Sequence, residues 1–141
     1  MNEAREDWLR QVNENLGPFN RLVGLRAEAV GQGWCRVVCE IRPEHCNPRG
    51  AVHGGMSATM LDVAGGIAAI YASGEARPMV TQSAGAHYLR PLTGTRMVAE
   101  GRVVKAGRRT CLARVDLFDD RGRLCCTGDL ELFYLDGDAA K

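Results

Sequence analysis

The residues best suited to chemistry lie between positions 47 and 62. Two glycines, Gly54 and Gly55, open a small and mostly apolar stretch that carries one carboxylate, Asp62. The first N–H groups of a helix have no intrahelical partner, and the helix dipole favours negative charge there. A helix that begins at these glycines would therefore offer an oxyanion site for a tetrahedral intermediate of acyl transfer. Tight packing of a loop against a sheet is the alternative interpretation.

Asp62 stands between Met60-Leu61 and Val63-Ala64. A carboxylate in such surroundings is costly unless it is paired or functional. Burial would raise its pKa towards that of a useful general base. A solvent-facing Asp, or a structural Asp held by hydrogen bonds, fits the same pattern.

Two polar residues precede the glycines, Asn47 and His53. Asn47 could orient a water molecule or a carbonyl group, but an Asn before a Pro is also a common turn residue. His53 could act in acid or base chemistry, or it could brace the turn before the helix. Each of these residues alone is a weak signal.

A second group of candidates is cationic and consists of Lys105, Arg108 and Arg109. These side chains fall on the tip of a predicted hairpin. Arg forks match phosphate oxygens, so the tip predicts a phosphate contact. A solvated turn is the alternative.

The elements that must position these residues can be predicted from periodicity. Residues 3–16 favour an amphipathic helix with Asn2 as N-cap, which Gly17-Pro18 would end, and residues 19–25 a short packed connector. Residues 54–72 favour a buried helix, since apolar residues occur nearly all round it. Alternating patterns predict six strands, at 25–31, 34–41, 79–90, 95–106, 110–118 and 123–134. One long helix against such a sheet is an α+β sandwich.

Composition narrows the classes of function. The chain has 141 residues, a net charge of +1 and 45% hydrophobic residues, which fits one globular domain. We expect no nucleic-acid or membrane partner, and a cytoplasmic location, because no global charge or targeting segment is visible. The six cysteines favour buried free thiols. A zinc site from Cys39, His45 and Cys46 matches no familiar spacing, so we expect no metal.

Taken together, the motif residues resemble the hotdog-fold thioesterases of the 4-hydroxybenzoyl-CoA thioesterase superfamily, in particular the PaaI-like group. The resemblance runs over residues 20–134. Its motif is Asn47, Gly50, His53-Gly54-Gly55 and Asp62, continued by Thr81, His87-Tyr88-Leu89-Arg90-Pro91 and Lys105-Ala106-Gly107-Arg108.

That resemblance implies a hotdog fold, in which a long central helix is wrapped by a roughly six-stranded antiparallel sheet. It implies an acyl-CoA substrate, a homodimer or a dimer-of-dimers tetramer, and no cofactor. Asp62 would be base or nucleophile, Asn47 would hold the water or thioester, the Gly54 N–H would polarise the carbonyl, and Thr81 would help to position water. We place His53 with the catalytic residues, and Gly55 and Arg90 with the substrate-binding ones.

The expected organisation is an N-terminal helix at 1–18 with no assigned role, a hotdog domain at 19–135 and a tail at 136–141. The expected reaction is acyl-CoA plus water giving acid plus CoA. Two alternatives stay open. One is a hotdog dehydratase or hydratase that would use His53, and the other is a non-catalytic acyl-CoA binding protein.

Overall fold

A computed structural model describes residues 3–137 as three α-helices and one six-stranded sheet. The helices are α1 (Glu3–Glu14), α2 (Gly17–Val23) and α3 (Gly54–Ile70). The strands are β1 (Leu25–Gly31), β2 (Trp34–Glu40), β3 (Met79–Tyr88), β4 (Arg96–Ala106), β5 (Thr110–Phe118) and β6 (Leu124–Tyr134). The predicted α+β architecture is confirmed, with a long helix against six strands.

The sheet is antiparallel at every pairing, in the order β1-β2-β4-β5-β6-β3. Helix α3 packs on one face of it and contacts all six strands. Ten of the seventeen α3 residues are buried, as the apolar composition of this stretch predicts. The core therefore lies between α3 and the sheet.

Close approach of α3 to the sheet depends on a glycine in β4. A Cβ added at Gly101 would lie 2.6 Å from the backbone oxygen of Ala64 in α3. The same oxygen accepts a hydrogen bond from Cys35 Sγ at 3.0 Å. Farther along, Tyr134 donates its hydroxyl to Ala69 O at 2.7 Å. These contacts hold the helix against the middle of the sheet.

The connector predicted at 19–25 is wrong, because residues 17–23 form α2. The first helix ends at Glu14, and α2 begins at Gly17, whose φ is +83°, with Pro18 in its first turn. Proline is favoured at that position because its φ suits a helix and its missing N–H has no partner to lose. Phe19 and Leu22 are exposed rather than packed. Asn2, predicted as N-cap, and the tail residues 138–141 lie outside the described residues.

Helix α1 contacts one edge of the sheet, at β1, whereas the other edge, at β3, is mostly exposed. At the β1 edge, Asn13 of α1 donates Nδ2–H to Ala27 O (3.0 Å), and the Ala27 N–H donates to Asn13 Oδ1 (2.9 Å). These are the bonds that a neighbouring strand would make. The β3 edge lies open: eight of its ten residues are exposed, and none of the ten is Asp, Glu, Lys or Arg.

Candidate active site

Asp62 lies on the exposed side of α3, so of the interpretations that the sequence left open, the single chain shows the solvent-facing one. Thr81 of β3 donates its hydroxyl to Asp62 Oδ1 at 2.6 Å. Among residues 3–137, nothing donates a hydrogen bond to Oδ2. The carboxylate is thus held by one oxygen, and the other is open to a water or a substrate.

A groove of about 470 Å³ runs beside this carboxylate, and we call it the Asp62 groove. One wall is formed by α3, and the other by α1 and the start of α2. Its apolar lining includes Val12, Leu16, Ile67, Ile70 and Met79. The sequence indicated no role for the N-terminal helix, because its apolar pattern shows that it packs but not against which partner.

The first turn of α3 forms a different site. His53 is the N-cap, and its Nδ1 accepts the Gly55 N–H at 2.8 Å. The structure thus uses His53 as the brace of the turn, and Gly55 is not a free donor. Gly54 N–H donates to no group within residues 3–137. Of the two glycines, Gly54 therefore presents the open donor at the positive end of the helix dipole.

Tyr88 is a candidate site residue for which the sequence indicated no role. Its hydroxyl donates to Gly54 O at 3.0 Å. A Cβ added at Gly54 would lie 3.5 Å from the Tyr88 ring. The tyrosine therefore fixes the glycine backbone beside it. The only sequence signal was its place in the His87-Tyr88-Leu89-Arg90-Pro91 run.

Asn47 orders the loop before the helix. Its Oδ1 accepts the N–H groups of Arg49 (3.0 Å) and Ala51 (3.2 Å), as expected for a turn residue. No residue in the range 3–137 accepts a hydrogen bond from Asn47 Nδ2. The amide therefore keeps donors for a carbonyl or a water, and the turn and ligand interpretations are compatible.

Asn47, Gly54, Tyr88 and Arg90 line one groove of about 600 Å³, which we call the Gly54 groove. Arg49 supplies a second cation there. Cys125 and Cys126 also line it, and burial raises the pKa of both thiols. These cysteines are therefore protonated thiols near neutral pH and poor nucleophiles.

The predicted site residues thus fall into separate places within one chain. Asp62 and Thr81 line the Asp62 groove, whereas Asn47, Gly54 and Arg90 line the Gly54 groove. The cationic tip, Lys105, Arg108 and Arg109, lines neither groove.

Arg77 fixes the backbone of that tip. It donates to Gly107 O at 3.0 Å and Arg108 O at 2.7 Å, and it pairs with Asp136 at 2.9 Å. Its guanidinium also lies 3.6 Å from the centre of the Tyr134 ring. The hairpin that carries the cations is therefore anchored to the body of the protein.

The residues considered for zinc are occupied in other ways. His45 is buried, its Nδ1 accepts the Arg42 N–H at 3.0 Å, and its Nε2 lies 2.7 Å from Val23 O. Cys39 donates its thiol to the same Val23 oxygen at 3.4 Å. These groups hold the end of α2 to the loop after β2.

Comparison with known proteins assigns the family. The model of the thioesterase superfamily matches residues 49–126, more than half of the chain. The chain belongs to the thioesterase superfamily. It is a thioester hydrolase, and the match covers Gly54, Asp62 and Thr81 but not α1 or α2.

Three proteins illustrate what this thioesterase is similar to in sequence and in structure. The medium/long-chain acyl-CoA thioesterase YigI of Salmonella typhimurium is 29% identical over 118 residues, which cover 73% of this chain and 76% of that one. A thioesterase structure from Haemophilus influenzae has a TM-score of 0.83 over 90% of both chains at 23% identity, which shows the fold. A mutant of the phenylacetic acid degradation protein PaaI from Thermus thermophilus has a TM-score of 0.76 at 29% identity, over 84% of this chain and 100% of that one.

These comparisons confirm the expected hotdog fold and the resemblance to the PaaI-like group. Within residues 3–137, no helix combines the length and the apolar character needed to cross a membrane.

Proposed function

We propose that this thioesterase hydrolyses acyl-CoA thioesters in a site that two chains share. The observation that carries the proposal is the separation of Asp62 from Gly54. They stand eight positions apart on α3, and at 1.5 Å rise per residue they lie about 12 Å apart along its axis. One thioester carbonyl cannot contact both, because catalytic contacts need about 3 Å.

A twofold dimer would bring Asp62 of one chain close to Gly54 of the other. The open β3 edge supports such a dimer, since an uncovered and uncharged edge strand is a template for pairing with another chain. At the opposite edge, Asn13 already occupies the N–H and C=O groups of Ala27, which makes β3 the more open edge. Pairing of β3 with its copy would be isologous and would create two equivalent sites. Each site would combine Asp62 and Thr81 of one chain with Asn47 and Gly54 of the other.

The chemistry depends on the groups that remain open. Gly54 N–H and Asn47 Nδ2 polarise the thioester carbonyl. In one route, Asp62 takes a proton from water, the hydroxide adds to the carbonyl carbon, and the C–S bond breaks. The CoA thiolate then receives the proton from Asp62. In the other route, Asp62 attacks the carbonyl carbon itself, the C–S bond breaks, and the CoA thiolate leaves as a mixed anhydride forms. Water then adds to the anhydride, which releases the free acid, restores the Asp62 carboxylate and supplies the proton that the CoA thiolate takes up.

The CoA moiety needs cations for its phosphates. Arg49 and Arg90 line the Gly54 groove, and the anchored tip carries Lys105, Arg108 and Arg109. Because the tip lines neither groove of its own chain, we assign it to the nucleotide end of CoA, away from the reacting carbonyl.

The name of the YigI relative supports an acyl-CoA substrate. The test is a screen of aryl, short, medium and long acyl-CoA thioesters, with free CoA and free acid measured by chromatography. Release of both in equal amounts supports the proposal. If a 3-hydroxyacyl-CoA gives an enoyl product, the enzyme is a dehydratase. Tight binding of acyl-CoA without turnover marks an acyl-CoA binding protein instead.

A further inference from the structure

The Asp62 groove is large enough to hold part of a substrate. Its volume of about 470 Å³ lies within the range of small-molecule sites. It opens beside Asp62 and Thr81, and it runs along α3 past Ile67 and Ile70. For a substrate whose thioester carbon lies at Asp62, this groove is an adjacent space for either the acyl group or the pantetheine arm.

The second wall of the groove is firmly docked. Trp8 of α1 stacks on Tyr71 with ring centres 4.9 Å apart, and the Tyr71 hydroxyl donates to Gln11 Oε1 at 3.3 Å. The two hydrogen bonds between Asn13 and Ala27 hold the same helix to β1. Val12 is therefore presented to the groove from a fixed position, and Leu16 lines the groove two residues after the end of α1.

Charge decides which half of the substrate fits. Within the described residues, no Lys or Arg lines the Asp62 groove, and Asp62 is its one carboxylate. Three amides also line the groove, those of Gln11, Asn15 and Asn20. The described part of the lining offers no cation to the phosphates at the end of the pantetheine arm, whereas its apolar side chains suit a hydrocarbon. The Gly54 groove differs in charge, because Arg49 and Arg90 line it together with apolar residues.

We propose that the acyl group of the substrate binds between α1 and α3, and that Val12 and Leu16 determine which acyl groups are accepted. The inference rests on the acyl-CoA hydrolysis proposed above. It gives a role to the segment of the chain that the superfamily match, at residues 49–126, leaves out. One wall of the acyl site would therefore lie outside the matched region, and the other wall within it.

The experiment compares acetyl-, hexanoyl- and decanoyl-CoA with four proteins: the unaltered protein, Val12→Phe, Leu16→Ala and Leu9→Ala. Leu9 is the matched control, because it lies on α1 and packs against the core but does not line the groove. Val12→Phe should lower kcat/KM for decanoyl-CoA about tenfold or more while acetyl-CoA changes less than about threefold, since the ring fills the far part of the groove. Leu16→Ala should also change the ratio between the substrates, and Leu9→Ala should not.

A binding measurement separates this inference from the hydrolysis on which it rests. Calorimetry with Asp62→Asn, alone and combined with Val12→Phe, measures acyl-chain preference without turnover. Weaker binding of decanoyl-CoA but not acetyl-CoA in the double variant supports the groove. If Val12→Phe and Leu16→Ala change kcat/KM by the same factor for all three substrates, as is expected for Leu9→Ala, the acyl group binds elsewhere and the inference is wrong. If no acyl-CoA is hydrolysed but the binding preference still shifts, the proposed reaction fails and the acyl site stands.

Discussion

Thr81 Oγ1 lies 2.6 Å from Asp62 Oδ1, on the exposed flank of a helix whose other side is buried. The hydrogen bond joins β3, the open edge strand, to α3. A dimer that pairs β3 would therefore close over this carboxylate. The single chain holds Asp62 in place, and the second chain would supply the rest of its surroundings.

Asp62→Asn should lower kcat about 10²–10⁴-fold, the usual cost of losing a general base. The amide nearly preserves the shape and can still accept the Thr81 hydroxyl. Because the side chain is exposed, the melting temperature should stay close to that of the unaltered protein. Steady-state release of CoA checks the rate, and circular dichroism checks the fold.

The matched control is Asp7→Asn, which removes an exposed helical carboxylate with one partner, Arg10. It should leave kcat unchanged. Turnover near that of the unaltered protein in Asp62→Asn would contradict the assignment of Asp62.

Thr81→Val removes the hydroxyl and keeps the shape of the side chain. A hydrogen bond to a charged group contributes about 1.5–3 kcal/mol, and solvent exposure puts this one at the weaker end. We therefore expect kcat to fall about tenfold with little change in KM, since about 1.4 kcal/mol in the barrier is a factor of ten. Thr81→Ser should restore most of the rate. A change in KM with kcat unaltered would argue against a positioning role for Thr81. A kcat for Thr81→Ser as low as that of Thr81→Val would argue against it as well.

Replacing Arg108 and Arg109 together by Ala should raise KM for acyl-CoA and leave kcat nearly unchanged. A truncated acyl-pantetheine lacks the nucleotide phosphates, so its KM should hardly change. Arg121→Ala, an exposed cation on another hairpin turn, is the control. An equal rise in KM for acyl-CoA and for acyl-pantetheine would exclude a contact with the nucleotide.

Gly101→Ala tests the packing of α3 on the sheet. The new Cβ would lie 2.6 Å from the Ala64 oxygen, which is backbone and cannot rotate away. We expect a loss of about 1–3 kcal/mol in the free energy of unfolding, as for other overpacked cores. Gly74→Ala meets no atom within 4 Å and should change stability by less than about 0.5 kcal/mol. Urea unfolding of both variants measures the difference.

Much of the fold could be predicted from periodicity. Six alternating runs and one apolar stretch indicated the six strands and α3, because a sheet with one buried face and a helix packed on it impose those periods. Helix α2 was missed because Gly17-Pro18 was interpreted as the end of a helix, whereas α1 ends at Glu14 and Gly17-Pro18 begins the next helix. Local sequence signals a break there, but it does not specify the conformation of the residues after the break.

The candidate site was harder to predict. The identities of Gly54, Asp62 and Thr81 could be read from the motif, but their surroundings could not. Asp62 has apolar neighbours in sequence, yet those side chains point to other sides of the helix. The roles of Tyr88 and of α1 depend on contacts between distant segments, such as Trp8 with Tyr71, and no local pattern encodes them.

The central claim is that Asp62 of one chain works with Asn47 and Gly54 of another. The most direct test mixes two inactive variants, Asn47→Ala and Asp62→Ala, and lets their subunits exchange. A mixed dimer would hold one site with both defects and one intact site. Native mass spectrometry of differently tagged chains confirms and counts the mixed species.

Each variant should be nearly inactive alone, and the mixture should regain activity in proportion to the mixed dimer. By the counting of sites, each mixed dimer should reach about half the activity of the unaltered dimer. Confirmed exchange with no return of CoA release would mean that each site is contained in one chain, and that result would contradict the shared site.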